Sequence, residues 1–456
     1  MPIDIYRVWH RETTYRTLLV LGAAAIGLAV VRQNWLVLAG LLGLCLVSLW
    51  PVQASLGVFA LLVPFDSVLS LASGEHGITL TFVIGAASIL VLVGTGLVFQ
   101  RFETPAKAVT WWMLFVFWAS LSALWAYNQA TVVQRFPTMF SLFVLYAVAS
   151  SYRMQETEFR GLVSMTILGA CPAALIASYQ FYHGHVYQDM RGSLIIGSRQ
   201  TDPNFFAASL LLPLSLAVGE FLVTTTLFRR MLMLLAAGAI ALGIFITMSR
   251  GALLALAVMV IVYLVRLRMS WRIFVPVTVL LTGLLFSPKL LFKRVEKAEV
   301  TGGAGRVYIW QAGVAAFKDH SLIGAGLDNF SDIHYKYAGA APKFVGVHRE
   351  PHNIYLQTGV ELGVVGLSLL MFAIVSQLRM RNPWRGARAV IASEMHVTAC
   401  QAAAWGMLIA SFFLGTLWIK AFWLVWIMLN LASQKRMAES TSSEFALSRH
   451  SVAEQP

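Results

Sequence analysis

One histidine and two arginines stand at the starts of apolar segments, where they could bind an anion and move a proton. His352 opens the stretch PHNIYLQTGVELGVVG (351–366), Arg250 lies in the turn MSRGA (248–252), and Arg306 follows Gly305. Helix N-termini bind anions, and arginine holds phosphate through paired hydrogen bonds. A helix N-terminus also keeps imidazole neutral, so that it can accept a proton near pH 7. These residues predict an anion site beside a general base.

The stretch GSRQTDPNFFA (197–207) adds polar groups before another apolar segment. Asp202 or Thr201 can cap the helix that follows, and Pro203 suits its first turn. A helix start explains these residues completely, but it does not explain Arg191 and Arg199. The helix start therefore leaves the two arginines without an explanation.

Each of these residues also has a simpler interpretation. Arg250 could extend to lipid headgroups, Arg306 could be a solvated charge, and a lone histidine is more often structural than catalytic. Glu361 is predicted to make a structural hydrogen bond to another helix, and Gly359 and Gly363, four residues apart, to allow close helix contact. The histidines of the 288–351 segment lack the spacing of metal ligands, so we predict no metal site.

The chain that must position these groups has the composition of a membrane protein. Of its 456 residues, 58% are hydrophobic and 12% are charged, whereas soluble domains are roughly 25% charged. Repeated apolar runs predict an all-α, polytopic helical membrane protein with 12–14 transmembrane helices. The net charge of +13 is a topology signal and does not indicate nucleic-acid binding. The candidate spans are 17–31, 36–50, 55–72, 78–99, 109–126, 136–150, 161–180, 205–224, 231–247, 252–266, 273–287, 353–378, 396–415 and 417–432.

Lys and Arg placement puts both termini in the cytoplasm and two long loops, 181–204 and 288–351, on the outer side. The longer loop predicts two short helices. Gly305–His320 carries Val307, Trp310, Val314 and Phe317 at helical spacing, as in a helix lying on a membrane face, and Gly326–Ala338 is opened by Asp328. We divide the chain into an N-terminal transmembrane bundle (1–180), a core with both loops (181–378), C-terminal transmembrane helices (379–432) and a disordered cytoplasmic tail (433–456).

Four stretches together resemble the bacterial O-antigen ligase and O-antigen polymerase superfamily. They are GSRQTDPNFFA, SRGALLAL, GRVYIWQAGVAAFKDHSLIGAGLDNF and PHNIYLQTGVELGVVG. The last is the most specific, because His352, Asn353, Gly363 and Gly366 match the ligase pattern residue for residue. The resemblance covers about residues 191–367.

The resemblance implies a GT-C-like, inner-membrane glycosyltransferase with a periplasmic active site. It would move a finished glycan from undecaprenyl pyrophosphate to an acceptor hydroxyl with inversion, without metal, cofactor or nucleic acid. His352 would activate the acceptor, Arg250 and Arg306 would hold the pyrophosphate, and Arg191 and Arg199 are weaker candidates for that role. The supporting residues would be Asn353, Asp202 and Asn204.

The acceptor divides this superfamily. A ligase would use lipid A–core, a polymerase would use a second lipid-linked repeat unit, and a protein O-oligosaccharyltransferase would use Ser or Thr. We favour the ligase because of the close match to its pattern. A membrane transporter is the competing class, but it should carry polar groups near the midplane in paired repeats, and here they gather at the outer face.

Overall fold

A computed structural model describes residues 49–70, 79–267, 305–342, 346, 348–379 and 392–434. Within these ranges the protein is helical except for one two-stranded antiparallel hairpin, β1 (Ile195–Ile196) with β2 (Arg199–Gln200). The helices are α1 (Gln53–Phe65, with π and 3₁₀ turns), α2 (Leu80–Val98), α3 (Lys107–Leu121), α4 (Gln129–Ser151), α5 (Glu156–Tyr182), α6 (Pro203–Val223), α7 (Leu227–Ile246), α8 (Arg250–Arg266), α9 (Arg306–Asp319), α10 (Phe330–Tyr337), α11 (Ile354–Leu378), α12 (Ala392–Ala410) and α13 (420–434).

The predicted polytopic helical membrane fold is confirmed. Among the described residues, seven helices are long and apolar enough to cross a membrane, namely α2 to α7 and α11. Each predicted span that falls on described residues coincides with a helix. The predicted spans 17–31 and 273–287, all but the last two residues of 36–50, and most of the predicted tail lie outside the described residues. The total of 12–14 therefore stays a prediction.

Helix α6 forms the centre of the bundle. It packs against α7 and α12, α12 packs against α8, and α5 packs against α7. In its most apolar 18-residue window, α6 has 78% of its residues buried, against 33% for α7. A helix that is apolar on all sides is expected in the interior, because it has no polar face to turn outward. The start of α6 lies beside the end of α1 and the start of α13.

Helix α11 is broken at Gly363, which has φ 68° and ψ −168°. A Cβ atom at this glycine would lie 2.2 Å from the carbonyl oxygen of Leu322. The loop after α9 bonds to the break, since the Val364 N–H donates to Ser321 O at 2.7 Å and the Ala325 N–H donates to Val360 O at 2.9 Å. The helix contact predicted for Gly363 is therefore wrong, because a loop backbone takes that place.

The two short helices predicted in the long loop are confirmed as α9 and α10. The predicted apolar face of α9 differs from the one that packs on the protein. Val307 and Val314 are 45% and 47% exposed, and the buried side consists of Ile309, Ala312, Gly313 and Ala316. The small residues face inward because α9 lies close against α11.

Asp328 does not cap α10, although it lies just before that helix. It has a left-handed backbone, with φ 61°, and its carboxylate forms an ion pair with Arg135 of α4 at 2.7 Å. Glu361 is buried in α11, where its carboxylate accepts a hydrogen bond from Gln357 at 3.0 Å. The carboxylate also accepts backbone hydrogen bonds from Asp328 and from Phe330, the first residue of α10, so the predicted structural bond to another helix is confirmed.

Candidate functional site

His352 lies in a tight turn just before α11. Its φ is 45°, in the left-handed region that non-glycine residues rarely adopt. The helix begins at Ile354, with Asn353 as its N-cap, so His352 lies outside the first turn in which the sequence placed it. The Asn353 side-chain oxygen accepts from the N–H groups of Tyr355 and Leu356 at 3.0 and 3.1 Å. Asn353 thus fixes where the helix begins and where the turn must end.

Two hydrogen bonds from separate elements hold this turn. On one side, the indole Nε1–H of Trp310 in α9 donates to the Pro351 carbonyl oxygen at 2.8 Å. On the other, the Ile354 N–H donates to the Ser411 carbonyl oxygen in the loop after α12, at 3.0 Å. Strained backbone persists where its surroundings fix it. His352 is therefore placed by contacts from α9 and from the α12–α13 loop together.

The imidazole of His352 is half-buried, and its Nδ1 atom has no hydrogen-bond partner among the described residues. Burial lowers the pKa of His352 below its ordinary value, and the positive charges of Arg306 and Arg349 lower it further, while Asp202 raises it. The ring is therefore neutral at neutral pH and has a nitrogen free to accept a proton.

Arg306 and Arg250 each begin a helix and lie close enough for their charges to interact. Burial and the neighbouring Arg250 guanidinium lower the pKa of Arg306, whereas Asp202 raises it. Gly305, with φ 82°, precedes Arg306, and the Ser249 hydroxyl caps α8 by accepting from the Ala252 N–H at 3.4 Å. Two like charges beside two helix N-termini favour an anion between them.

We call His352, Arg250, Arg306, Arg349 and Asp202 the His352 cluster. Three of its members, His352, Arg250 and Arg306, were predicted to form one site, and the structure brings Arg306 within electrostatic range of both Arg250 and His352. Arg349 was given no role by the sequence analysis. It lies three residues before His352, so its position on the loop was the available signal.

Asp202 caps α6, as predicted. Its Oδ1 atom accepts from the N–H groups of Asn204 and Phe205 at 2.7 and 3.2 Å. The Asn204 side-chain oxygen in turn accepts from Arg191 Nη2 at 2.5 Å, and Arg191 Nε donates to the Thr247 carbonyl oxygen at 2.9 Å. Arg191 thereby ties the start of α6 to the end of α7.

This tie also supports Arg250, because Thr247 begins the turn that carries it. The turn is tight, with Met248 at φ 48°. Arg199 lies elsewhere, since its Nη1 donates to the Ser70 carbonyl oxygen and joins β2 to the segment after α1. Neither Arg191 nor Arg199 contributes to the pKa shifts of Arg306 and His352 within the described part of the chain.

Trp310 is the residue of the site whose role the sequence did not reveal. Its spacing of four from Arg306 places both side chains on one face of α9. One helix therefore supplies a cation of the His352 cluster and a hydrogen bond that holds the His352 turn. In the sequence Trp310 was assigned only to an apolar face.

No three His, Cys, Asp or Glu side chains lie close enough to hold a metal ion in the described ranges. The polar chemistry of the site therefore rests on arginine, histidine and one carboxylate as far as the structure describes it.

Comparison with known proteins gives one family. Residues 233–371 match the family described as O-antigen ligase. No curated protein matches the chain. The match contains Arg250, Arg306 and His352. It begins at residue 233, so Asp202 and Arg191 lie outside it.

Proposed function

Residues 233–371 form a domain of the O-antigen ligase family, a family of enzymes that transfer glycans, and from this premise we propose the reaction of the chain. The protein moves a preassembled glycan from undecaprenyl pyrophosphate to an acceptor hydroxyl at the periplasmic face of the inner membrane. In this proposal the fold is GT-C-like, and the preferred acceptor is lipid A–core.

The observation that carries the proposal is the geometry of His352. A strained turn holds the histidine, its Nδ1 is unpaired among the described residues, and Arg306 lies within electrostatic range. An unpaired buried polar atom is rare and calls for an explanation. A substrate hydroxyl that donates to Nδ1 would supply the missing partner. The same arrangement would put a developing alkoxide next to positive charge.

The transfer is a single displacement. His352 takes the proton of the acceptor hydroxyl as its oxygen forms a bond to the anomeric carbon of the glycan. The bond from that carbon to the pyrophosphate oxygen breaks, and its electron pair leaves with the lipid pyrophosphate. Arg306 and Arg250 stabilise the charge that develops on this leaving group. Attack from the opposite face inverts the configuration of the anomeric carbon.

The role assigned to Arg306 agrees with its surroundings. A half-buried arginine with a lowered pKa and a second arginine nearby is destabilised unless an anion lies close to it. Binding a pyrophosphate relieves the repulsion between Arg306 and Arg250. Asp202 is a nearby counterion, but one carboxylate balances only one of the two guanidinium charges, so a further anion is favoured here.

The test is a deletion strain complemented with wild type, His352→Ala or His183→Ala. His183 is an exposed histidine beyond α5, stacked on Tyr179, and serves as the matched control. We expect His183→Ala to restore surface polysaccharide. We expect His352→Ala to accumulate lipid-linked glycan that has not been transferred to an acceptor. Full restoration of surface polysaccharide by His352→Ala would rule out His352 as the general base. A single repeat unit attached to core would instead identify the protein as a polymerase.

A further inference from the structure

A blind cleft adjoins the His352 cluster and is not used by the mechanism above. It has a volume of about 250 Å³ and lies between the end of α1, the start of α6 and the start of α13. Asp202 lines one part of it, and an ion pair between Lys420 and Asp66, 3.0 Å apart, lines another. Phe205 and Ile419 contribute apolar walls. The cleft therefore combines two carboxylates, one ammonium group and apolar surface.

The bottom of the cleft is closed. Below Ser209, side chains of α1, α5, α6, α12 and α13 pack together and leave no space for a water molecule. Pockets for drug-sized ligands usually measure about 300–1,000 Å³. A cleft at or below the small end of this range, with no exit between the described helices, has room for a sugar ring but not for a polyprenyl tail.

The charges of the cleft also exclude the pyrophosphate. The lining has two carboxylates and one cation, and that cation, Lys420, is already paired with Asp66 and donates to Thr79 at 3.2 Å. Thr81 adds a hydroxyl that donates to Asp66. Carboxylates and a lysine already held in place are suited to hydrogen bonds with neutral hydroxyl groups. The chemistry fits the terminal sugar of a glycan acceptor.

We infer that this cleft binds the acceptor sugar, with Asp202 accepting a hydrogen bond from it at the His352 end and the Asp66–Lys420 pair holding its far side. The inference rests on the proposed function and adds the location of the second substrate. Asp202 lies within electrostatic range of His352 and Arg306, and in this arrangement a sugar on Asp202 would present a neighbouring hydroxyl to the base. The sugar could belong to lipid A–core or to a lipid-linked repeat unit.

The test uses the purified, reconstituted full chain with a defined lipid-pyrophosphate-linked oligosaccharide as donor. Each of the two acceptors is supplied in a separate series. The variant Asp66→Asn/Lys420→Met removes both charges with little change of shape. The variant Ser67→Trp fills the cleft and leaves the ion pair in place, since Ser67 is exposed and lines it. The control is Arg101→Met/Glu158→Gln, which removes another ion pair, of 2.6 Å, near the opposite end of α2.

We expect both cleft variants to raise the KM for one acceptor at least about tenfold, the effect of losing one hydrogen bond to a charged group. The donor KM and the slow hydrolysis of donor by water should match the control. An acceptor KM within twofold of the control for both acceptors would overturn the inference, and so would a rise in donor KM alone. If wild type forms no product from either acceptor, the proposed function itself fails.

Discussion

The hydrogen bond from Trp310 gives the most detailed prediction, because it can be removed without removing the ring. Trp310→Phe keeps an aromatic side chain and deletes the 2.8 Å bond to the Pro351 carbonyl oxygen. That carbonyl belongs to a buried residue, and leaving a buried acceptor unpaired costs about 1–3 kcal/mol. The cost falls on the one conformation that holds His352 at φ 45°.

Without this bond, the His352 turn can also relax, because its backbone is itself strained by about 1–3 kcal/mol. A shift of about 1–2 kcal/mol against the native turn corresponds to a factor of about 5–30 in its population. We therefore expect Trp310→Phe to lower kcat about 5- to 30-fold while the donor KM stays within twofold. The arginines proposed to bind the donor do not depend on this bond.

The assay is glycan transfer by reconstituted protein across a pH series, with thermal unfolding measured in parallel. Trp405→Phe is the matched control, because Trp405 lies on α12 and is 41% exposed. A relaxed turn exposes the imidazole, so the pKa of His352 should rise toward its ordinary value. The acidic limb of the pH–kcat profile, where activity falls as the pH is lowered, should then move to higher pH. A kcat within twofold of the Trp405→Phe enzyme, or a loss of stability with an unmoved acidic limb, would refute the positioning role.

Two further predictions concern the break in α11 and the pH dependence. Gly363→Ala would bring a Cβ against Leu322 at φ 68° and should lower the free energy of unfolding by about 1–3 kcal/mol. Gly94→Ala, with open space around it, should be neutral or stabilising in the same denaturant titration, and the reverse order would contradict the assignment. Because burial and Arg306 lower the pKa of His352, kcat/KM should fall only below pH 6.5, the ordinary value for histidine. Arg306→Gln should move this limb upward, and an unmoved limb would disprove the coupling.

The local features of the site could be predicted from the sequence. Asp202 and Ser249 cap their helices within three residues of chain, and Arg250 and Arg306 begin theirs. Such contacts depend on short-range geometry, which residue types and spacing specify. The motif around His352 also indicated the position of the candidate base before any contact was known.

The features that escaped prediction join residues far apart in the chain. Gly363 lies in an apolar run with no sign of a break, and the loop that requires it lies some forty residues earlier. The partner of Lys420, Asp66, lies near the other end of the chain. Arg199 was assigned to the anion by its charge alone, whereas its contact with Ser70 depends on how the hairpin folds back. A single sequence does not show which residues far apart in the chain come into contact.

The central claim is the division of work between one base and two cations. The direct measurement compares donor binding with turnover for His352→Ala and Arg306→Gln, using the lipid-pyrophosphate-linked donor and reconstituted protein. We expect His352→Ala to bind donor as wild type does and to lose at least about 100-fold in kcat, the usual contribution of a general base. Arg306→Gln should weaken donor binding. Near-normal turnover by His352→Ala, or donor binding unchanged by Arg306→Gln, would contradict the account.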